Sequence, residues 1–236
     1  MREVRVLADA EVLAAEVAET FLDLVRRHQA AGTAPHVALT GGTIAERVHA
    51  AIAAHPRAAD VDWTQVVFWW GDERFVPAES EDRNALHARR VFLDVVGATQ
   101  VHEMPASDGG RGLDEAAAAY GQEIRTDKSA DEFDLVMLGI GPDGHVASLF
   151  PGHPQLDVDD IAVGVPDSPK PPPQRITLTF GALNRTSEVW FLASGDSKSE
   201  AVARALAEEG TVHATPARGI TANQIWFLDD ESASGL

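Results

Sequence analysis

Short apolar runs alternate with amphipathic stretches along most of the chain. The apolar runs, which have the length and composition of buried β-strands, are Val4–Leu7, His36–Leu39, Val66–Trp70, Phe133–Leu138, Arg175–Leu178, Glu188–Leu192 and Gln224–Leu228. The amphipathic stretches, in which apolar residues recur at the three-and-four spacing of a helix, are Glu11–Ala31, Thr43–Ala54, Asn84–Val95, Leu113–Arg125 and Ser197–Glu208. Nearly continuous apolar strands separated by helices are typical of a parallel sheet that is covered on both faces. We therefore predict a three-layer α/β/α sandwich with a mainly parallel sheet.

The pattern contains no internal repeat and no domain linker, so we predict a single domain over residues 1–236 built on a Rossmann-like sheet. The most irregular stretch is Pro151–Pro173, in which proline, glycine and aspartate are dense. Because its two flanks both look like parts of one sheet, we interpret this stretch as a long active-site loop rather than a flexible linker. The acidic segment Asp229–Leu236 is expected to be a frayed end.

The net charge of the chain limits the kinds of molecule that it is expected to bind. Lysine and arginine number 19 against 37 aspartates and glutamates, which gives a formal net charge of −18 at pH 7. This balance argues against nucleic acid or an anionic membrane as a partner, because both require a basic surface. It also requires that a site for a phosphorylated ligand concentrate the few basic residues.

The chain has no cysteine, which excludes disulfides, thiolate nucleophiles and thiolate metal ligands. No segment has the apolar core of a signal peptide or the roughly 18 apolar residues of a membrane span. We therefore expect a cytoplasmic protein. Since no group of histidines has the spacing of a metal site either, we expect no bound metal.

A glycine-rich turn follows the first fully apolar strand and precedes a predicted helix. Gly41 and Gly42 let an anion approach the backbone, and the free N–H groups at the start of the helix point toward that anion. A phosphate suits this arrangement, and Gly41, Gly42 and Thr43 are therefore candidate substrate-binding residues. The alternative is a tight turn in which Thr43 merely caps the helix, and the segment alone does not decide between the two.

Charged residues stand where several predicted strands begin or end. Asp72, Glu73 and Arg74 follow an apolar strand, and ligands bind at the carboxyl ends of strands in an open parallel sheet. Arg74 offers a planar fork of donors that suits phosphate, although a salt bridge among these three neighbours is the alternative. Arg175 and Lys198 are further candidate ligands. Lys198 lies in the first turn of a predicted helix, where a cation is unfavourable unless an anion is close.

The most informative side chains lie in a second glycine-rich turn. A predicted strand runs into Gly139, Gly141 and Gly144, with Asp143 and His145 among them. Packing does not require an aspartate and a histidine there, whereas glycine N–H groups can surround a reacting oxygen and a neutral histidine can take a proton from water near pH 7. We predict that His145 is a general base and that the N–H groups of this turn bind the oxyanion. A structural histidine is the alternative.

The residues that assist His145 remain open at this point. Asp143 or the nearby Asp72 orients the imidazole or the water. Ser148 is a competing nucleophile, but it lies in no Gly-x-Ser-x-Gly elbow, so a structural role is favoured. Metal binding is a weaker alternative, because the Asp-x-His pair lacks a convincing set of further ligands.

Taken in order, these segments resemble the 6-phosphogluconolactonase family. The matching motifs are Asp-Glu-Arg-Phe-Val-Pro at 72–77, Met-Pro-Ala-Ser at 104–107, Leu-Gly-Ile-Gly-Pro-Asp-Gly-His-Val-Ala-Ser-Leu-Phe-Pro-Gly at 138–152 and Arg-Ile-Thr-Leu-Thr at 175–179. The third motif is long enough to be a specific signal. The resemblance implies hydrolysis of the sugar lactone 6-phosphogluconolactone to 6-phosphogluconate, in the oxidative pentose phosphate pathway and without a cofactor.

The same fold and the same Gly-x-Asp-Gly-His turn also resemble the glucosamine-6-phosphate deaminases, which are the runner-up. Deaminases typically carry Asn-Glu-Pro-Gly where this chain has Leu149–Gly152, so Phe150 replaces their acidic residue, and they tend to have tyrosine where Arg74 stands. A catalytically inactive regulator that binds sugar phosphates is the non-enzymatic alternative. Such a protein is expected to lose the base, whereas His145 and Asp143 are both present. We expect a monomer or a small homo-oligomer.

Overall fold

A computed structural model describes residues 1–127 and 132–236 of the chain. The strands are β1 (Arg2–Leu7), β2 (His36–Leu39), β3 (Val67–Trp70), β4 (Asp72–Arg74), β5 (Gln100–Val101), β6 (Phe133–Gly139), β7 (Ala162–Val165), β8 (Arg175–Leu178), β9 (Thr186–Ala193) and β10 (Gln224–Asp229). The α-helices are α1 (Ala10–Ala30), α2 (Thr43–Ala54), α3 (Asn84–Ala88), α4 (Asp94–Val96), α5 (Leu113–Thr126), α6 (Phe180–Leu183) and α7 (Ser199–Leu206). Short 3₁₀ turns lie at Pro56–Asp60, Trp63–Gln65, Pro154–Asp157, Asp196–Lys198 and Pro216–Gly219.

The main sheet has seven strands in the order β1-β10-β9-β6-β2-β3-β5, and every neighbouring pair is parallel. Helices flank the sheet, so the predicted α/β/α sandwich with a mainly parallel sheet is confirmed. All residues of β2 and β3 are buried, as their apolar sequences require. The parallel arrangement brings the carboxyl ends of β2, β6 and β9 to one edge of the sheet.

A second, smaller sheet corrects the sequence prediction. It has the order β4-β8-β7, and both of its pairings are antiparallel. Arg175–Leu178 is a strand as predicted, but it belongs to this sheet rather than to the main one. The stretch Pro151–Pro173 is likewise not simply a loop, because it contains β7. These strands are short, and one of them consists of three charged residues, so the alternation of apolar residues that reveals longer strands is absent.

The predicted helix over Asn84–Val95 is interrupted. A π-helical turn over Arg89–Leu93 joins α3 to α4, and Gly97 ends the helix in the left-handed region at φ 75°. Phe92, on the π turn, is fully buried and stacks against His49 of α2 with ring centroids 5.7 Å apart. The added residue of the π turn is thus accommodated against the apolar core.

The C-terminal segment is not frayed as expected. Asp229 and Ser232 are buried, and the Asp229 carboxylate accepts hydrogen bonds from the N–H of Ser232 at 2.8 Å and from the N–H of Gly195 at 3.0 Å. Polar groups of the tail therefore close onto the loop that follows β9, which composition alone does not reveal. No helix among the described residues is long and apolar enough to cross a membrane.

Candidate active site

A cavity of about 570 Å³ opens at the carboxyl edge of the main sheet. Its wall is built by the turn after β2, the turn after β6, the loop after β9 and the end of the proline-rich stretch before β8. This is the place where ligands bind in open parallel sheets, and the volume suits a small molecule.

Basic side chains dominate the wall. The basic residues that line the cavity are Arg47, Arg74, Lys170, Arg175 and Lys198. Asp72 is the only acidic residue among the described residues that line the cavity. The protein as a whole carries a net charge of −18, so the cavity concentrates the few cations that it has, as a phosphate site requires.

The turn after β2 presents the start of a helix to the cavity. Gly41, Gly42 and Thr43 all line the cavity, and α2 begins at Thr43. Gly42 is the N-cap residue at φ 99°, and no side chain caps the helix, so Thr43 is not the cap that the alternative interpretation required. The first N–H groups of a helix have no partner within it and attract an anion. The predicted phosphate cradle is therefore geometrically available.

A buried amide side chain supports this turn. A Cβ atom on Gly41 would clash with the side chain of Asn84, so only glycine allows the two segments to lie this close. Asn84 donates from Nδ2 to the carbonyl of Asp72 at 3.1 Å and accepts at Oδ1 from Arg74 at 2.5 Å. Asn84 therefore links the glycine turn to Arg74. Nothing in the local sequence around Asn84 indicates that it belongs to the site.

The alternative of a salt bridge within 72–74 is wrong. The Arg74 guanidinium donates to the carbonyl of Asp82 at 2.9 Å and to Asn84. Glu73 turns into the protein, where it accepts from the N–H groups of Asn84 and Ala85, each at 2.8 Å. Burial raises the pKa of Glu73, although nearby Arg83 and these hydrogen bonds oppose the shift. The side chains of Asp72, Glu73 and Arg74 thus lie in three different environments.

The turn after β6 holds a histidine against a carboxylate. His145 Nδ1 lies 2.5 Å from Oδ1 of Asp143. Burial alone would raise the pKa of Asp143, but the hydrogen bond and the charges of His145 and Lys170 outweigh it and lower the pKa below its usual range. The ionised carboxylate can accept a hydrogen bond from Nδ1–H, and in that tautomer Nε2 carries the lone pair. Such an imidazole can act as a general base toward a molecule in the cavity.

Glycine has a different purpose in this second turn. A Cβ atom on Gly141 would clash with the His145 ring and with the Asp143 carboxylate. The N–H of Gly141 donates to the carbonyl of His145 at 2.9 Å, and the N–H of Gly144 donates to the carbonyl of Gly141 at 2.8 Å. Both N–H groups therefore already have hydrogen-bond acceptors within the turn. The predicted role of Gly141 and Gly144 as oxyanion donors is therefore wrong; Gly141 instead makes room for the base.

Ser148 and Asp72 form a separate buried pair. The Ser148 hydroxyl donates to Oδ2 of Asp72 at 2.6 Å, and Ser148 is only 1% exposed. Ser148 is not among the described residues that line the cavity, which agrees with the structural role that the sequence favours. Asp72 does line the cavity, but the carboxylate in contact with the imidazole is that of Asp143.

An aromatic ring packs beside the imidazole. Phe150 is fully buried, and its ring centroid lies 4.6 Å from that of His145. The guanidinium of Arg175 lies over the Phe150 ring, with its carbon 5.9 Å from the ring centroid. Phe150 is therefore part of the apolar packing around His145.

Arg175 and Lys198 both line the cavity, but they differ in their surroundings. Arg175 donates to the carbonyls of Lys170, Pro171 and Pro172 at 3.2 to 3.3 Å, so much of its donor capacity is used within the protein. Burial lowers the pKa of Lys198, and the charge of Lys170 adds to this effect. A bound anion would favour the charged form of Lys198, so the surroundings of Lys198 suit an anionic ligand.

Besides Asn84, three further residues support the site and were not predicted from the sequence. Arg47 lies one helical turn beyond Thr43 on α2, and that spacing is a signal that would have revealed it. Lys170 lies at the end of the proline-rich stretch, 25 residues from His145. Asp229 accepts from the N–H of Gly195 at 3.0 Å and so fixes the loop that leads to Lys198. The last two depend on the path of the chain and have no local signal.

Among residues 1–127 and 132–236, no group of three or more histidine, aspartate or glutamate side chains is arranged to hold a metal ion. His145 and Asp143 thus have no further metal ligands beside them in the described part of the chain.

Known proteins resemble this chain over nearly its whole length. The family model for glucosamine-6-phosphate isomerases/6-phosphogluconolactonase matches residues 8–227. A 6-phosphogluconolactonase from Streptomyces coelicolor is 42% identical, with 97% of this chain and 92% of that protein covered. A 6-phosphogluconolactonase from Mycobacterium tuberculosis is 39% identical, with 99% and 98% covered.

Solved structures give the same result. The 6-phosphogluconolactonase from Trypanosoma brucei is 26% identical and superposes with a TM-score of 0.86, covering 100% of this chain and 99% of that one. A monomeric glucosamine-6-phosphate deaminase superposes with a TM-score of 0.83 over 99% of this chain and 100% of its own, but at 18% identity this likeness concerns the fold alone.

Proposed function

The chain belongs to the glucosamine-6-phosphate isomerase/6-phosphogluconolactonase family, and we propose that it hydrolyses 6-phosphogluconolactone to 6-phosphogluconate, a step of the oxidative pentose phosphate pathway. The observation that carries this proposal is the hydrogen-bonded pair of Asp143 and His145 at a cavity lined by basic side chains. A lactone is an activated ester, so one base is sufficient and no covalent nucleophile is needed.

The reaction follows from the protonation state of His145. Nε2 of His145 takes a proton from water while the water oxygen attacks the lactone carbonyl carbon, and the carbonyl electron pair moves onto its oxygen. The alkoxide then re-forms the carbonyl, the bond to the ring oxygen breaks, and the imidazolium returns its proton to that oxygen. The product acid ionises at neutral pH, so each turnover releases one proton. The cations around the cavity stabilise the negative charge that develops.

The phosphate of the substrate binds in the same cavity, at the turn after β2. Its ligands are the N–H groups of the turn formed by Gly41, Gly42 and Thr43 together with Arg74 and Lys198. Support comes from the free N–H groups at the start of α2 and from the burial of Lys198, which a dianion would compensate. Arg175 contributes mainly by holding the neighbouring backbone, because its donors are directed to carbonyl groups.

The rival activity is deamination of glucosamine 6-phosphate. It requires an acidic partner for opening of the sugar ring, and the deaminases carry that residue where this chain has buried Phe150. A regulator without catalysis is disfavoured for a different reason, because the base and its carboxylate are in contact. The lactonase assignment therefore agrees best with the residues around the imidazole.

The cellular context of the enzyme is also part of the proposal. We expect a cytoplasmic protein that acts as a single domain over residues 1–236 and as a monomer or small homo-oligomer. Nucleic acid and membranes are not expected partners, because a protein with a net charge of −18 repels both.

The activity is tested with freshly generated 6-phosphogluconolactone by following proton release in weak buffer, with glucosamine 6-phosphate offered in parallel. We expect accelerated acid release and no ammonia, and the acceleration should be lost in His145→Ala. Ammonia production without lactone hydrolysis would instead assign the chain to the deaminases. Acceleration of neither reaction would favour the regulator.

A further inference from the structure

The end of the proline-rich stretch before β8 forms a strap over the cavity, which we define as residues 167–173. The hydroxyl of Ser168 accepts from the N–H of Lys170 at 3.2 Å and donates to its carbonyl at 3.0 Å. The N–H of Ser168 donates to the carbonyl of Pro173 at 2.8 Å. The backbone of Lys170 is therefore held on both sides by hydrogen bonds.

Arg175 fixes the strap against the base. Its Nη2 donates to the carbonyl of Lys170 at 3.2 Å, and its Nε donates to the carbonyl of Pro172 at 3.2 Å. The same guanidinium lies over the ring of Phe150, which packs against His145. The strap and the turn after β6 thus share one support, which sets the distance between Lys170 and His145.

This support brings an ammonium group to the catalytic pair. Nζ of Lys170 lies 3.8 Å from Oδ1 of Asp143 and 3.4 Å from Nδ1 of His145. Among the described residues, Lys170 is the only lysine or arginine that has a side-chain nitrogen within 4 Å of the Asp143 carboxylate. Its side chain is 42% exposed, so it borders both the cavity and solvent.

The charges that face Lys170 come from two neighbouring elements. Asp143 and His145 face it from the turn after β6, and Lys198 faces it from the loop after β9. Asp143 favours a second proton on the imidazole, whereas a cation at this distance disfavours it. The ammonium of Lys170 therefore places a positive charge beside the imidazole, where it opposes the effect of the Asp143 carboxylate.

We propose that Lys170 is a positioning residue for the general base: its ammonium holds the Asp143 carboxylate against Nδ1 and keeps His145 available to accept a proton. The inference rests on the proposed lactonase function and adds a residue to it. Lys170 neither donates the transferred proton nor binds the phosphate. Its effect is on kcat and on the pH at which the base becomes protonated.

The first test compares Lys170→Met and Lys170→Gln with Lys198→Met. Loss of the ammonium should lower kcat about tenfold, the scale of one hydrogen bond to a charged group, and leave the affinity for 6-phosphogluconate nearly unchanged. The acidic limb of the kcat/KM profile should move to higher pH by about one unit. Lys198→Met, a loss of the same charge at the phosphate end, should mainly raise KM and weaken product binding. Two variants at a partly exposed position guard against a failure of one of them to fold.

A second test restores the charge chemically. The chain has no cysteine, so Lys170→Cys introduces a single thiol that 2-bromoethylamine alkylates to a side chain ending in an ammonium group. This treatment should recover kcat and return the acidic limb toward its wild-type position, whereas alkylation with iodoacetamide, which adds a neutral amide, should recover neither. Wild-type protein treated in the same way is the control.

The outcomes separate this inference from the function on which it rests. If wild-type protein does not hydrolyse the lactone, the proposed function fails. If wild type is active but the acidic limb does not move in Lys170→Met, or if iodoacetamide restores kcat as well as bromoethylamine does, the positioning role of Lys170 is wrong. A rise in KM with unchanged kcat would likewise contradict it and make Lys170 a substrate ligand.

Discussion

The two glycine-rich turns that border the cavity look alike in sequence and act differently. In the turn after β2, Gly42 is the N-cap of α2, and the residues at the start of the helix line the cavity. In the turn after β6, the N–H groups of Gly141 and Gly144 are bound within the turn, and the missing Cβ of Gly141 makes room for the Asp143–His145 pair. The turn after β2 exposes its backbone N–H groups, whereas the turn after β6 leaves space for the side chains of Asp143 and His145.

A glycine-rich turn beside a strand end therefore does not by itself identify the role of the turn. The decisive information is whether the N–H groups have partners and what a Cβ atom would meet. We assign phosphate binding to the first turn and proton transfer to the second. Changes in the two turns should therefore have separable effects on KM and kcat.

The largest expected effect comes from removal of the base. His145→Ala should lose activity by about 10²- to 10⁴-fold, the usual contribution of general-base catalysis, while it still binds 6-phosphogluconate. The kcat/KM of the wild type should fall on the acidic side as the base becomes protonated. Ser148→Ala is the matched variant three residues away and should lose far less. Near-normal turnover in His145→Ala with an unchanged acidic limb would transfer the role of base to a carboxylate, with Asp72 as the first candidate.

A methyl group at Gly141 should have the next largest effect. In Gly141→Ala the added Cβ displaces the imidazole, and a displacement of about 1 Å can cost about 10²-fold in rate. We expect this loss in kcat, with product affinity retained. Gly42→Ala is the matched change in the other turn: its Cβ meets no atom, but a φ of 99° strains an alanine. It should instead weaken product binding and stability. The reverse pattern of kcat and binding would break the comparison between the turns.

Arg74→Ala should affect the phosphate end more moderately. A hydrogen bond to a charged group contributes about 1.5–3 kcal/mol, so kcat/KM should fall by about 10- to 100-fold, chiefly through KM. Steady-state kinetics together with calorimetry of 6-phosphogluconate binding measures this effect. Arg90→Ala removes a surface arginine that pairs with Glu81 and serves as the control. Unchanged kcat/KM in Arg74→Ala would remove this residue from the site.

The smallest expected effect concerns stability and comes from a histidine outside the cavity, His49. His49 is 2% exposed on α2, and burial lowers its pKa to about 4. The unfolded chain binds a proton at His49 below pH about 6.5, so the contribution of this group is intact above that pH and is lost as the pH falls toward 4. Between pH 7.5 and 5 the loss should be on the order of 1–2 kcal/mol.

Urea denaturation at these two pH values measures the contribution of His49. In His49→Leu the difference in unfolding free energy between pH 7.5 and 5 should be smaller than in the wild type by about that amount. An equal difference in both proteins would show that His49 does not titrate on unfolding.

The sequence predicts six of the seven strands of the main sheet, because most of them are buried apolar runs, and it misses the two-residue edge strand β5. The prediction fails for β4, whose three residues are charged, and for β7, which lies among glycines and prolines. Both belong to the small antiparallel sheet, where pairing with β8 rather than local composition determines the structure.

The candidate site is predicted in part for a related reason. His145 and Asp143 are adjacent in the chain, so their contact can be anticipated from the motif. The approach of Lys170 depends on how the strap 167–173 returns to the turn after β6, and the bound state of the N–H groups of Gly141 and Gly144 depends on the geometry of that turn. Neither property can be read from residue types.

The central claim, that the two turns divide phosphate binding from proton transfer, is tested most directly with two substrates. The kcat/KM values for 6-phosphogluconolactone and for unphosphorylated gluconolactone are measured in wild type, Arg74→Ala and His145→Ala. The account predicts that Arg74→Ala loses activity mainly toward the phosphorylated lactone, whereas His145→Ala loses activity toward both lactones by a similar factor. An equal loss for both substrates in Arg74→Ala, or a loss confined to one substrate in His145→Ala, would contradict it.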